Sequence, residues 1–127
     1  MTGNMANRRQ WRVLVVDDHD MLRSGLSVAL SAAGYAVESA PDGLAALQAV
    51  SASRPDVVVL DLRMPVMDGF ATLARLRADP RTADIPVVVA TAAEDQRGRM
   101  LADGAAGFVT KPIDAIQLLR EVSLALG

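Results

Sequence analysis

Short runs of apolar, mostly branched residues recur along this chain, and segments with apolar residues three or four apart separate them. The runs lie at residues 12–16, 35–40, 57–60, 85–91 and 107–110. Such runs predict strands buried on both faces, and the segments between them predict amphipathic helices. Parallel neighbours need a crossover between them, so this alternation predicts a parallel sheet covered by helices on both faces.

Right-handed crossovers limit such a sheet to doubly wound forms. With five strands, the sequence predicts an α/β, flavodoxin-like (βα)5 sandwich with strand order 2-1-3-4-5. The second run has mixed polarity, which predicts a strand at the sheet edge. In this order the first and third strands are neighbours at the topological switch point, where open α/β sheets place their sites.

Residues that stop helices bound the predicted helices. Gly34 stands where the first helix would need a C′ residue, Arg54-Pro55 follows the second helix, and Asp79-Pro80 follows the third. The fourth helix, residues 94–103, is predicted to be weak because a glycine inside it costs about 1 kcal/mol relative to alanine. The last helix is predicted at residues 113–126. The side chains predicted to line one face of the second or the last helix are Leu44, Leu47, Val50, Ala115, Leu118, Val122 and Leu126.

Length and composition indicate one domain with an aliphatic core. The chain has 127 residues, of which 51% are hydrophobic and only 3% aromatic, so Val, Leu, Ala and Ile must form the core. We expect residues 1–10 to be a disordered lead and residues 11–127 to form the domain.

Charge and cysteine usage exclude several classes of function. The formal net charge is −2, which provides no general attraction to nucleic acid or to an anionic membrane. The absence of cysteine excludes a disulfide framework and a thiolate metal site. No apolar run approaches the roughly 20 residues of a membrane span, and the lead lacks the apolar stretch of a signal peptide. The sequence therefore predicts a soluble cytoplasmic domain.

Polar residues end or follow four of the predicted strands. Asp17 and Asp18 follow the first strand, Asp61 follows the third, Thr91 ends the fourth and Lys111 follows the fifth. Since the first and third strands are predicted neighbours, three carboxylates should converge and repel one another unless a cation compensates. A hard divalent cation with oxygen ligands fits such a site, and Mg²⁺ is the obvious candidate.

These residue types suit transfer of a phosphoryl group to an aspartate, because a carboxylate can attack phosphorus and form an acyl phosphate. Asp61 is the predicted nucleophile, since it is single and follows the most apolar strand. Asp17 and Asp18 would then be metal ligands, and the backbone carbonyl of Arg63 could supply a further oxygen. The metal and Lys111 would neutralise charge on the transferred oxygens.

Five motifs follow one another along the chain. They are Val15-Val16-Asp17-Asp18, Leu60-Asp61-Leu62-Arg63-Met64-Pro65, Met67-Asp68-Gly69, Ala90-Thr91-Ala92 and Gly104-Ala105-Ala106-Gly107-Phe108-Val109-Thr110-Lys111-Pro112. In order and spacing they make the sequence similar to the receiver domain of bacterial two-component response regulators. The resemblance covers residues 12–126; each motif alone is weak, whereas the five together are very specific.

The resemblance implies a phosphorelay switch that is not an enzyme in its own right. Asp61 would accept a phosphoryl group from a phosphohistidine of a sensor histidine kinase or a histidine phosphotransfer protein, with Mg²⁺ bound beside it. Thr91 would be the switch hydroxyl, and Phe108 stands at the position of the aromatic that rotates inward behind it. Lys111 would pair with the phosphate, and the Lys111-Pro112 bond is expected to be cis.

The resemblance also implies that a downstream protein reads the surface of the fourth helix, fifth strand and fifth helix, with dimerisation on phosphorylation as one outcome. Ile116 and Leu119 are expected to be exposed there. Ala105-Ala106 replaces an acidic pair that serves an ion-paired dimer in many transcription-factor receivers, so we do not expect that particular dimer. Direct binding to nucleic acid or membrane is not expected.

Other interpretations stay open at this point. A haloacid dehalogenase-type phosphohydrolase also uses an aspartyl phosphate, but it carries an acid–base Asp where this chain has Arg63. A nucleotide-binding module would need glycine motifs that no predicted strand precedes. A receiver that only binds partners, without phosphorylation, is the third alternative.

At single positions, Asp17-Asp18 could be an N-cap pair, Thr91 an ordinary strand end and Phe108 plain core. His19 is interpreted as a helix-start residue that tunes metal affinity. Arg63 and Ala93 lie two residues beyond Asp61 and Thr91, where family members adjust the attack of water on the phosphoryl group.

Overall fold

The computed structural model describes residues 10–127, so the predicted disordered lead at 1–10 lies outside the described residues except for its last position. The strands are β1 (Arg12–Val16), β2 (Ala36–Ala40), β3 (Val57–Leu60), β4 (Val87–Thr91) and β5 (Gly107–Thr110). The helices are α1 (Asp20–Ala32), α2 (Gly43–Ala52), α3 (Gly69–Ala78), α4 (Arg97–Ala102) and α5 (Ala115–Leu126), and a 3₁₀ turn (Glu94–Gln96) precedes α4.

The described strands form one parallel sheet in the order β2-β1-β3-β4-β5, which confirms the predicted flavodoxin-like topology. The strand of mixed polarity, β2, lies at an edge as predicted. Strand β1 pairs with β3 so that Val16 lies opposite Leu60. The residues that follow these two strands are therefore brought side by side at the carboxyl edge.

Helices cover both faces of the sheet, and each face has its own core cluster. Alternate residues of β1 point to opposite faces, so Leu14 and Val16 join one cluster while Val13 and Val15 join the other. The first cluster packs against α2, α3 and α4, and the second packs against α1 and α5. The sheet is thus buried on both sides, as its uninterrupted apolar runs predict.

The buried face of α2 differs from the predicted one. Leu44 is exposed, whereas Gly43, Ala46 and Val50 are buried and Leu47 is half-buried. Small side chains let α2 lie close to its neighbours: a Cβ on Gly43 would overlap the Thr72 side chain on α3. Sequence spacing alone favoured the larger leucine.

The last helix begins two residues later than predicted. Asp114 is its N-cap, and the Asp114 side chain accepts hydrogen bonds from the backbone N–H groups of Ile116 and Gln117. Ala115 is exposed, contrary to the prediction, and Leu119 is half-buried against the second core cluster. Ile116 is exposed as predicted.

The predicted weak helix is shorter than expected, since its first turn is 3₁₀ and α4 has only six residues. Among the residues of α4 only Met100 is buried. Two arginines of α4 instead cover aromatic rings. The Cζ atom of Arg97 lies 4.8 Å from the centre of the Phe108 ring, and that of Arg99 lies 4.4 Å from the centre of the Phe70 ring. Within residues 10–127, no helix has the length and apolarity needed to cross a bilayer.

Arg77, in the last turn of α3, ties three segments together. Its Nη1 donates to the carbonyl oxygens of Ala83 at 3.0 Å and Ile85 at 2.9 Å. Its Nη2 donates to the carbonyl of Gly104 at 3.2 Å, in the turn that precedes β5. These bonds fix the approaches to β4 and β5.

We expect Arg77→Met to lower the free energy of unfolding by about 2 kcal/mol, because it removes three hydrogen bonds from a charged donor in a half-exposed setting. Arg75→Met is the matched control, since exposed Arg75 lies on the same helix and should change stability by no more than about 0.5 kcal/mol. Urea unfolding measures both variants. Equal losses would contradict the role of the Arg77 hydrogen bonds.

Candidate functional site

The parallel pairing continues one residue beyond the strands and places two carboxylates next to each other. The backbone N–H of Asp61 donates to the carbonyl of Val16 at 3.0 Å, and that of Asp17 donates to Ala40 at 3.2 Å. Asp17 and Asp61 are only 2% and 5% exposed. Asp18 is exposed, and oxygens of all three carboxylates lie within 4.8 Å of one another.

A single ammonium group compensates the two buried carboxylates. Lys111 Nζ lies 2.8 Å from Asp17 Oδ2 and 2.9 Å from Asp61 Oδ2. Lys111 is the only lysine of the sequence; every other basic side chain except His19 is an arginine. Burial disfavours its charge, but hydrogen bonds and attraction from Asp17 and Asp61 outweigh burial and raise the pKa of Lys111.

Backbone geometry aims Lys111 at the carboxylates. Its N–H donates to the carbonyl of Thr91 at 2.9 Å, which extends the pairing of β5 with β4. The Lys111-Pro112 peptide bond is cis, as the resemblance implies. The lysine thus links the end of β5 to the ends of β1 and β3.

Backbone N–H groups hold the other oxygens of both carboxylates. Asp61 Oδ1 accepts from Leu62 at 2.7 Å and, at 3.5 Å, from Arg63. Asp17 Oδ1 accepts from His19 at 2.8 Å. These hydrogen bonds fix the orientation of each carboxylate.

His19 is the N-cap of α1, so the interpretation of Asp17-Asp18 as an N-cap pair is wrong. His19 Nδ1 accepts a hydrogen bond from the Leu22 N–H at 3.2 Å. The helix-start interpretation of His19 is confirmed. The hydrogen bond from its backbone to Asp17 was not predicted, because no pattern in the sequence indicates which residue turns the chain there.

Thr91 lies beside the carboxylates, whereas Phe108 lies behind them in the core. Thr91 is 1% exposed, and its Oγ1 accepts from the Ala93 N–H at 3.3 Å. Thr91 and Lys111 help to line an open cavity of about 650 Å³ with Asp61. Phe108 is 2% exposed and belongs to the first core cluster.

The loop after Asp61 approaches the site closely and is strained. Asp68 caps α3, and a Cβ on Gly69 would overlap the carbonyl oxygen of Asp61, so both residues shape the loop. Val66 has φ of 71°, and the N–H of Met67 donates to the carbonyl of Pro65 at 2.7 Å across it. This is a γ-turn about a β-branched residue, which costs of order 1–3 kcal/mol. No pattern in the sequence indicates this turn, since glycine is the usual marker of a positive φ.

The sequence model of the response regulator receiver domain matches residues 13–123. The chain belongs to this family. Receiver domains of response regulators act in two-component phosphorelay signalling, so the chain is a signalling domain of that system.

Curated relatives agree with the family assignment. The response regulator PleD of Caulobacter vibrioides is 42% identical over 113 residues, which cover 87% of this chain and 25% of PleD. The DNA-binding dual master transcriptional regulator RpaA of a Synechocystis strain is 38% identical over 117 residues, which cover 91% of this chain and 48% of RpaA. The chain thus spans between a quarter and a half of the length of these relatives.

Solved structures share the whole fold. The chemotaxis response regulator CheY4 of Vibrio cholerae matches with a TM-score of 0.85 and 33% identity, covering 93% of this chain and all of that one. The receiver domain of NtrX from Brucella abortus matches with a TM-score of 0.83 and 29% identity, covering 90% of this chain and 97% of that one. The fold predicted from the sequence is therefore the fold of these solved receivers.

We expect Lys111→Met to lower the free energy of unfolding by about 2 kcal/mol without divalent cations, because it leaves two buried carboxylates without their cation. Urea unfolding with and without MgCl₂ provides the measurement. Mg²⁺ should stabilise this variant more than the native chain, since the competing ammonium is gone. Arg120→Met, at an exposed position of α5, should behave as native.

Proposed function

We propose that this domain is a phosphorylation switch in which Asp61 is the phosphoacceptor. The observation that carries the proposal is the Lys111 ammonium bridging Asp17 and Asp61, with the exposed Asp18 carboxylate within 4.8 Å. The phosphoryl donor is a phosphohistidine of a sensor histidine kinase or a histidine phosphotransfer protein. The mouth of the cavity is open to such a donor.

The arrangement supports one covalent step. A carboxylate oxygen of Asp61 attacks phosphorus and forms a P–O bond, while the P–N bond to the donor imidazole breaks and the imidazole takes up a proton. Lys111 then pairs with the transferred phosphoryl oxygens instead of the carboxylates. The hydroxyl of Thr91 turns towards the phosphoryl group, giving up only a long 3.3 Å hydrogen bond from Ala93.

The three carboxylates fit Mg²⁺, because hard oxygen ligands meet at one point and one of them, Asp18, is open to solvent. Asp17, Asp18, Asp61 and the backbone carbonyl of Arg63 would hold the ion. When bound, Mg²⁺ neutralises charge on the transferred oxygens.

The output surface is the face formed by α4, β5 and α5. Ile116 and Leu124 are 71% and 68% exposed on α5, and Leu101 is 45% exposed on α4. Phe108 connects this face to the site, because it lies on β5 before Lys111 and beneath the Arg97 guanidinium. A downstream protein, or a second copy of the domain, reads this face, and nucleic acid is not its direct partner.

The alternatives are less well supported. Arg63 is exposed at the position where a dehalogenase-type phosphohydrolase has its acid–base Asp, so hydrolysis of the aspartyl phosphate should be slow. A module that binds without phosphorylation would not need a buried Asp–Lys–Asp cluster, which is complete here.

Incubation with acetyl phosphate and MgCl₂ should add one phosphoryl group to the native chain and none to Asp61→Asn, as measured by intact mass. Asp68→Asn is the matched control, because this exposed carboxylate lies in the same loop but only caps α3. It should be modified as fully as the native chain. No adduct on the native chain, or an equal adduct on Asp61→Asn, would overturn the proposal.

His19 offers a second test. His19→Ala should lower the free energy of unfolding by about 1 kcal/mol through loss of the α1 cap, whereas His19→Asn should retain the cap. If His19 also tunes metal affinity, both variants should bind Mg²⁺ differently from the native chain in calorimetric titration. Unchanged Mg²⁺ affinity in both would restrict His19 to capping.

A further inference from the structure

A second concavity lies at the end of the sheet opposite the phosphoacceptor. It is an open groove of about 700 Å³ between the C-terminal turns of α2 and α3 and the turn that follows α3. These segments lead into the amino ends of β3 and β4, whereas Asp61 follows the carboxyl end of β3. The size is within the range of about 300–1,000 Å³ that is typical of ligand sites.

The floor of this groove is aliphatic. Leu76 of α3 and Val50 of α2 line it and are themselves almost fully buried, and Leu47 adds a half-buried side chain. An aliphatic side chain placed on this floor would exchange its contact with water for contact with apolar side chains. The floor therefore suits one apolar anchor.

Three guanidinium groups line the same groove, from Arg54, Arg75 and Arg81. The lining contains one carboxylate, Asp79, and a second, Asp84, pairs with Arg54 at 2.9 Å. The local balance is positive in a chain whose formal net charge is −2. The groove is therefore a positively charged region of a chain that is slightly acidic as a whole.

The existing ion pairs of this rim are weak. Arg81 pairs with Asp79 at 3.0 Å and Arg54 with Asp84 at 2.9 Å, and in both pairs the arginine is well exposed. Solvent screens exposed pairs of this kind, so a ligand carboxylate can compete for the arginines. Arg54 is already held in place, because it also donates to the carbonyl of Arg81.

Of the three arginines that line the groove, only Arg75 is not held by an ion pair with another described residue. Within residues 10–127 its guanidinium forms no ion pair or hydrogen bond, although Arg75 lies in the last turn of α3. A cation there also suits the helix dipole, but Arg77 in the same turn already binds carbonyl groups. Arg75 is therefore available to an anionic ligand.

We propose that this groove docks an acidic peptide segment of a partner protein, with a leucine-type side chain on the floor and carboxylates facing the three arginines. An open groove with separate cations and an aliphatic floor matches an extended chain that alternates apolar and acidic side chains. Because the groove and Asp61 lie at opposite ends of the sheet, the segment can stay bound while a phosphoryl donor uses the carboxyl edge. The site thus tethers a partner in both states of the switch.

The test is an NMR titration of the ¹⁵N-labelled chain with a short synthetic peptide in which leucine and glutamate alternate. Amide shifts should be confined to residues 47–54 and 75–82. Arg75→Glu should weaken binding about tenfold, because it replaces an attractive charge with a repulsive one, and Arg75→Lys should retain it within about threefold. Asp61→Asn should bind as the native chain does, which separates this site from the phosphoacceptor.

Arg120→Glu is the matched control, since it reverses one exposed charge on α5, across the sheet from the groove. It should change the affinity less than twofold. Equal weakening by Arg120→Glu and Arg75→Glu would show a general charge effect and overturn the site. Shifts outside the two segments, or inorganic phosphate and benzoate matching the peptide at equal concentration, would overturn peptide docking as well.

Discussion

The contact on which the site depends is the parallel pairing of β1 with β3. It sets Asp17 beside Asp61 in the interior, where two carboxylates without a cation would repel each other strongly. Lys111 supplies that cation from the end of β5, at 2.8 and 2.9 Å from the two carboxylates. The Lys111 ammonium therefore compensates both carboxylates and ties the end of β5 to the ends of β1 and β3. In the proposed switch, a phosphoryl group or a divalent cation that enters would compete with Lys111 for the two carboxylates.

Strand β5 connects the carboxylate site to the surface at α4. Phe108 is buried three residues before Lys111, and Arg97 of α4 covers its ring. Helix α4 is short and has one buried residue, so its attachment depends largely on contacts between arginines and aromatic rings. Few buried apolar contacts are typical of the segments of a protein that move most readily. In the proposed switch, α4 is therefore the segment that a change at Asp61 would move most readily.

The two ends of the sheet differ in chemistry. The carboxyl edge concentrates acidic groups around one lysine, whereas the groove between α2 and α3 concentrates arginines above an aliphatic floor. Two arginines of α3 have different roles. Arg77 donates hydrogen bonds to backbone carbonyl groups of the fold, whereas Arg75 lines the groove and its guanidinium has no partner within residues 10–127. Two ligands of different kinds can therefore be accommodated without overlap.

The alternation of apolar runs and helical segments determined the fold and the strand order, since parallel strands need crossovers of fixed hand. The strand-end positions of Asp17, Asp61, Thr91 and Lys111 likewise predicted a shared site, because the carboxyl ends of parallel strands meet at one edge of the sheet. The tertiary structure decided features that the spacing of residues along the sequence does not specify. It buried Gly43 and Ala46 of α2 rather than Leu44, because α3 lies so close that a Cβ on Gly43 would overlap Thr72. It made His19 the cap of α1, because the turn after β1 brings its backbone N–H to Asp17, and it put Val66 in a positive-φ turn of the loop after Asp61.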